Sequence, residues 1–212
     1  MAILSIATTK GGSGKTTAAL CLADHWHRAG HTVQCLDTDP NRNLTIWLGS
    51  IGNPIPCEAV GEDEVVDAAI AAEQAADIVV IDVAGVLGKA LVYAIGVSSA
   101  VVIPTKPGRL DILEAGRTQQ HIESAIKQLR RRQPDAGIAY AALLMQTGRR
   151  ATVTAHSRTE LAGLGIPTLT ADLAHRTAYQ QASFQGLPLD DAAVTRDVAA
   201  VAAELEQLME GR

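Results

Sequence analysis

The chain has three cysteines, Cys21, Cys35 and Cys57, and no two of them form a CxxC pair. That scatter excludes a disulfide framework or a metal knuckle and suits a reducing cytosol. A long apolar run is also missing. The longest uncharged stretch, residues 90–105, contains Gly96, Ser98, Ser99 and Pro104, so it is too short and too broken to span a membrane. Aromatic residues make up only 3% and none is interleaved with the basic clusters, which argues against base stacking on a single nucleic-acid strand. Positive charge is in deficit: the net charge of −5 speaks against wholesale nucleic-acid binding and leaves room for a local basic patch. There is no repeat, no low-complexity segment and no linker. The first residues run directly into an apolar segment, so no signal peptide is expected. What is present is 212 residues, 47% hydrophobic and 19% charged, a composition that predicts one well-buried domain over residues 1–212.

Apolar β-rich runs alternate with helical patterns along the chain. Strands are expected at residues 3–7, 33–36, 78–81, 100–104, 138–144 and 167–170, and helices at 16–29, 64–75, 89–97, 110–132, 154–164, 178–185 and 193–210. Gly30 is placed as the stop of the first helix. Strands without polar alternation, separated by amphipathic helices, indicate an α/β fold with a mostly parallel twisted sheet and helices on both faces.

Residues 10–17 read Lys-Gly-Gly-Ser-Gly-Lys-Thr-Thr, directly after the apolar run 3–7. A strand, a glycine-rich turn and a Lys-Thr opening a helix make up the phosphate loop of P-loop NTPases. Gly11, Gly12, Ser13 and Gly14 let backbone N–H groups close round a phosphate, and the helix N-terminus favours the anion. Lys15 then reaches the β/γ-phosphates, the Thr16 hydroxyl ligates Mg²⁺, and Thr17 completes the loop. The ordinary first glycine is replaced by Thr9, and Lys10 is additional. Two further segments follow. Residues 36–41, Leu-Asp-Thr-Asp-Pro-Asn, end the second strand, where carboxylates point into the same crevice as the loop; a turn capping a helix is the competing reading. Residues 77–85 form a buried apolar strand with Asp82 at its tip, placed to hold a Mg²⁺-bound water opposite Thr16, while Gly85 frees the following loop to sense a γ-phosphate.

The loop with Lys10, together with these two motifs, resembles the ParA/MinD group of ATPases, and the chain is most similar to a small, ParF-like ParA partition ATPase. The resemblance covers residues 2–190 or so. It implies Mg–ATP as cofactor and weak ATPase activity. It gives Lys10, Lys15 and Asp39 catalytic roles: Asp39 orders the attacking water and a Mg²⁺-bound water, Asp37 supports it, and Asn41 stands where the family carries glutamine. Lys10 crosses to the nucleotide of a second subunit in the manner of an arginine finger. A homodimer face to face over ATP follows, with filaments left open. So do nonspecific binding to DNA, a small centromere-binding partner of the ParB type, and a cytoplasmic, nucleoid-associated place. Residues 102–111 look like the family's proline-rich loop before the helix that lines the dimer face, where Asp111 is read equally as a helix-start acid or an interface residue. The block 166–186 looks like the segment near the adenine.

DNA contact, to phosphates and indifferent to sequence, has two candidate clusters, Arg149-Arg150, which follows a strand end and is read equally as serving an adenine pocket, and Lys127 with Arg130, Arg131 and Arg132. For the second, neutralising a helix C-terminus is the simpler reading. Other members of the group fit less well. The acidic tail 202–210 disfavours a lipid-bound MinD role, no cysteine pair suits an iron–sulfur relative, and a tyrosine cluster is missing. No DNA-binding extension precedes the first strand, so operator binding is not expected. A conjugative or T-DNA transfer helper, another cargo-positioning ATPase of the group, and an enzyme of the dethiobiotin-synthetase kind are the alternatives.

Overall fold

Side chains of the central strands alternate between two apolar layers. Leu4 and Ile6 belong to one layer and Ile3 and Ala7 to the other; Ile78 and Val80 oppose Val79 and Ile81 in the same way, as do Ala100 and Val102 against Val101 and Ile103. A strand buried on both faces needs helices on both sides and reads as a continuous apolar run. The computed structural model describes residues 1–50, 54–85, 88–148, 152–185 and 190–210. Its strands are β1 (Ala2–Ile6), β2 (Val33–Asp37), β3 (Cys57–Ala59), β4 (Ile78–Asp82), β5 (Ala100–Thr105), β6 (Ala139–Thr147) and β7 (Leu173–Ala174). They form one sheet in the order β3-β2-β4-β1-β5-β6-β7, each neighbouring pair parallel.

The helices among the described residues are α1 (Lys15–Arg28), α2 (Asn43–Ser50), α3 (Val65–Ala75), α4 (Lys89–Val97), α5 (Arg109–Arg130), α6 (Thr152–Gly163), α7 (Thr177–Gln185) and α8 (Ala192–Glu210). α1, α2 and α8 cover one face through Leu22, Trp26, Leu44, Leu48, Val198 and Leu205. α3 to α6 cover the other through Ala69, Leu91, Ile95, Ile122, Ile126 and Leu161. Trp26 is fully buried, and its indole N–H donates to Glu206 Oε1 at 2.7 Å, tying α1 to α8.

Three expectations change. The strand expected at 167–170 is absent: Thr168 makes only an isolated bridge to Ala142, and the edge strand is β7. Pro167 has no N–H, and the Thr170 and Ala171 N–H groups donate to the Glu204 carboxylate at 2.7 and 2.8 Å, so neither is free for a ladder. α2 and β3 were not foreseen. β3 is three residues long, and its place is set by β2 across the register Cys35 to Cys57 rather than by a pattern of its own. β6 runs three residues past the expected end, through a register irregularity between Met145 and Thr147.

Gly30 does end α1. It takes φ +96°, its N–H donates to His27 O at 3.0 Å, and the His31 N–H donates to Trp26 O at 3.1 Å, the paired bonds of a Schellman motif. Gly30→Ala places a Cβ in the left-handed region and should lower the unfolding free energy by about 1–2 kcal/mol. An unchanged urea midpoint would show that the helix end does not depend on this conformation.

Candidate nucleotide site

The sheet order brings β4 and β5 to either side of β1, and a crevice opens beyond the carboxyl ends of the strands where the winding reverses. Ile6 lies opposite Asp82, and Asp82 lies opposite Asp37 on its other side. Three loops therefore leave the sheet edge side by side.

The first is residues 8–14. Gly14 stands at φ +101° before α1, a left-handed backbone conformation that favours glycine. No side chain caps this helix start and no acidic residue occupies its first turn, which leaves the N–H groups and the helix dipole available to an anion. Ser13 Oγ is buried without a hydrogen-bond partner among the described residues. Lys15 is buried, and its Nζ donates to Lys10 O at 3.2 Å. Burial pulls the Lys15 pKa down against the opposing pull of the Asp82 and Asp39 charges. The loop after β4 closes over it: a Cβ on Gly85 would meet Lys15 Nζ at 2.7 Å and Gly11 Cα at 3.0 Å.

Asp82 is 1% exposed, and neither carboxylate oxygen has a hydrogen-bond partner of ordinary geometry among the described residues. Burial is the largest cause that raises its pKa, to about 7, with Asp37 and Asp39 adding to it while the Thr16 hydroxyl and Lys15 oppose it. An orphaned buried carboxylate beside a threonine hydroxyl fits a divalent cation. Mg²⁺ is ordinarily held by one or two protein oxygens, with phosphate and water completing the shell. Thr16 and Asp82 fit the cation, and the loop with Lys15 fits the phosphates.

The two aspartates after β2 divide their work. Asp37, 1% exposed, accepts from the Thr45 N–H at 3.0 Å and the Thr45 hydroxyl at 3.1 Å through Oδ2, and from the Asp39 N–H at 3.1 Å through Oδ1. It caps α2 and shapes the turn, so the helix-capping alternative holds for Asp37. Asp39 Oδ1 accepts from the Asn41 N–H and side-chain amide, both at 2.9 Å. Asp39 thus sits half-buried on a braced turn, close enough to Lys15 and Asp82 to shift both.

Lys10 points elsewhere. Its Nζ pairs with Asp111 Oδ2 at 2.7 Å, in the first turn of α5. Thr9 adds a hydroxyl bond to Glu114 Oε2 at 2.6 Å and donates its N–H to Thr118 Oγ1 at 3.3 Å; Arg117 holds the other Glu114 oxygen at 2.6 Å. The residue that replaces the ordinary first glycine docks the loop on α5, beside a cavity of about 440 Å³ lined by Lys10, Glu114 and Arg117. Asp111 is a first-turn acid engaged in an ion pair. Sequence reasoning missed Glu114 and Thr118; their only trace is the spacing 111, 114, 118, which puts them on one helix face.

The remaining basic residues lie apart. Arg130 and Arg131 end α5, about 30 Å from Asp111 at helical rise, and Arg130 Nε donates to Ala136 O at 3.1 Å. Arg149 and Arg150 lie outside the described residues. Arg158 and Arg176 are structural, paired with Asp172 and Asp197. In the block 166–186, Gly186 lies outside the described residues.

Because Asp82 titrates at about 7 in the fold against an ordinary carboxylate value near 4, the metal-free fold binds its proton more tightly than the unfolded chain does. This group's contribution to stability is therefore full below about pH 4 and is lost as pH rises through 7. Asp82→Asn should remove that loss and raise metal-free stability at pH 8 by on the order of 1 kcal/mol or more. Denaturant midpoints of both proteins at pH 5 and pH 8 measure it, and equal pH slopes would contradict the burial effect.

The description CobQ/CobB/MinD/ParA nucleotide binding domain matches residues 4–189. Protein ParA of Rhizobium radiobacter is 30% identical over 186 residues, covering 84% of this chain and 81% of that protein. Maintenance of carboxysome distribution protein A of Halothiobacillus neapolitanus is 29% identical over 189 residues, covering 87% and 84%. The fold is shared with the septum site-determining protein MinD of Pyrococcus horikoshii complexed with Mg-ADP, at a TM-score of 0.77 and 16% identity over 98% of this chain and 96% of that one. The cradle of glycines, the buried Lys15 and the cation-poor Asp82 are thus features of a chain that belongs to the CobQ/CobB/MinD/ParA nucleotide-binding family, among its ParA/MinD-type P-loop ATPases.

Proposed function

We propose that this chain is a Mg–ATP-dependent partition ATPase of the small ParA type, a single domain that pairs face to face over ATP, binds DNA without sequence preference and hydrolyses ATP slowly to segregate or position a DNA cargo. The observation that carries this reading is the presence of two loop lysines with different surroundings. Lys15 is buried inside its own cradle, whereas Lys10 stands at the rim, its side chain 37% exposed and paired with Asp111. A second cation outside the cradle is surplus for one nucleotide and suited to a neighbour's.

Bound Mg–ATP would supply the phosphoanhydride to be cleaved and a divalent cation to offset phosphate charge. Lys15 and the α1 N-terminus neutralise phosphate charge, Thr16 and Asp82 hold the metal side, and Asp39 accepts a hydrogen bond from the attacking water. Lys10, released from Asp111, adds its charge to the partner subunit's nucleotide. DNA phosphates meet arginines, with Arg149-Arg150 and Arg130-Arg131 as the clusters to compare. Dimerisation doubles those contacts, making ATP the switch for DNA attachment. The stimulating partner is a small centromere-binding protein of the ParB type, and the setting is the cytoplasm at the nucleoid. The similarity to a carboxysome distribution protein favours one alternative, a positioning ATPase with a protein cargo.

Lys15→Ala should abolish nucleotide binding. Lys10→Ala should keep ADP binding within about twofold yet lose the ATP-dependent dimer and, with it, ATP-dependent retention on duplex DNA. Light scattering and a DNA-column assay report both. Normal dimerisation of the Lys10 variant would rule out the cross-subunit role.

Asp39→Ala should still bind ATP while phosphate release falls about 100-fold, leaving a long-lived dimer. Unchanged steady-state phosphate release would move the water-orienting role to Asp37 or Asp82.

A further inference from the structure

The basic cluster ending α5 borders a concave surface. A groove of about 950 Å³ lies between α4 and the second half of α5. α4 contributes Val92, Tyr93 and Val97 to its lining, with Val92 and Tyr93 exposed next to each other. The end of α5 contributes Leu129 with Lys127, Arg131 and Arg132, and none of the lining residues is acidic, in a chain whose acidic residues outnumber its basic ones by 23 to 18. None of these three cations is in an ion pair among the described residues. Neutralising the α5 dipole accounts for cations at this helix end, but not for the exposed Val92 and Tyr93 that share the groove with them.

Exposed apolar side chains from α4 and unpaired cations from the end of α5, lining one groove, complement an amphipathic segment that carries leucine-like residues on one side and carboxylates on the other. Duplex DNA offers phosphates and no apolar face to cover Val92 and Tyr93. The chain's own acidic α8 is already engaged, since Glu204 holds the Thr170 and Ala171 N–H groups and Glu206 holds Trp26. A second copy would have to break those bonds to donate it. We propose that the groove between α4 and α5 binds an acidic amphipathic segment of a partner protein. Its apolar residues lie on Val92, Tyr93 and Val97, and its carboxylates pair with Lys127, Arg131 and Arg132. The site stands about 30 Å along α5 from the Lys10–Asp111 contact and does not depend on the ATPase reading. It leaves Arg149-Arg150 for DNA.

Gly96 supplies a clean test. It lines the groove, it is exposed, and a Cβ built on it meets nothing within 4 Å. Gly96→Met therefore fills the groove without entering the core. The full chain is titrated into a fluorescein-labelled helical peptide with leucine at i, i+3, i+4 and i+7 and glutamate elsewhere; a second peptide has lysine for glutamate. A labelled duplex DNA is the third probe. Wild type should bind the acidic peptide saturably and ignore the lysine peptide. Both Gly96→Met and the double variant Arg131→Glu, Arg132→Glu should weaken the acidic peptide about tenfold or more, with ATP binding unchanged as the check on folding. The proposal is overturned if wild type shows no saturable binding, if either variant binds as wild type does, or if the lysine peptide binds equally well. Loss of duplex binding in both variants with peptide binding intact also overturns it and assigns the groove to DNA.

Discussion

The approach of Gly85 to Lys15 and Gly11 is the contact on which the rest of the site depends. A side chain at 85 would collide with the lysine at 2.7 Å and with the loop backbone at 3.0 Å, so the loop after β4 and the loop after β1 meet as bare backbone. That contact follows from register. Ile6 faces Asp82 and Asp37 faces Asp82 from the other side, so one lysine and several carboxylates gather at one sheet edge. Burial of such charges is costly unless they are compensated. Here Lys15 is pulled toward its neutral form and Asp82 toward its protonated form, the pattern expected where a ligand brings the missing charges.

Around this centre Asp37 differs from two other buried polar groups. It is saturated by Thr45 and the Asp39 N–H, which makes it a brace. Among the described residues, the buried Asp82 and Ser13 side-chain oxygens have no hydrogen-bond partner of ordinary geometry. The same division separates the two loop lysines: Lys15 faces the phosphate cradle, and Lys10 faces Asp111. Through Thr9, Glu114 and Thr118 the loop is fastened to α5, so movement of the loop and of that helix are mechanically linked. α5 is long enough to carry an unrelated surface, the groove with its cationic rim, at its other end.

Much of this was legible from local pattern. Continuous apolar runs identify β1, β2, β4 and β5 because a strand covered on both faces has no polar alternation to hide it. The phosphate loop is legible because its chemistry needs glycines, a lysine and a threonine at fixed neighbouring positions. Asp82 is legible as the polar end of a buried strand. Gly30 marks a helix end that needs a left-handed residue, a requirement confined to one turn.

What the tertiary structure alone decided involves partners distant in sequence. Lys10 and Asp111 are 101 residues apart, Thr9 and Glu114 are 105 apart, and Asp37 finds Thr45 only because α2 folds back over β2. β3 and β7 are strands of three and two residues whose existence depends on the neighbour they pair with, and residues 167–170 lose strand structure to a glutamate on α8. Composition and periodicity record which face of an element is apolar. They carry no record of which distant side chain will satisfy a given donor, because that pairing is selected by packing after the elements have formed. The sequence therefore determined the family of elements and the phosphate-binding chemistry, while packing decided the docking of Lys10, the bracing role of Asp37 and the groove at the end of α5.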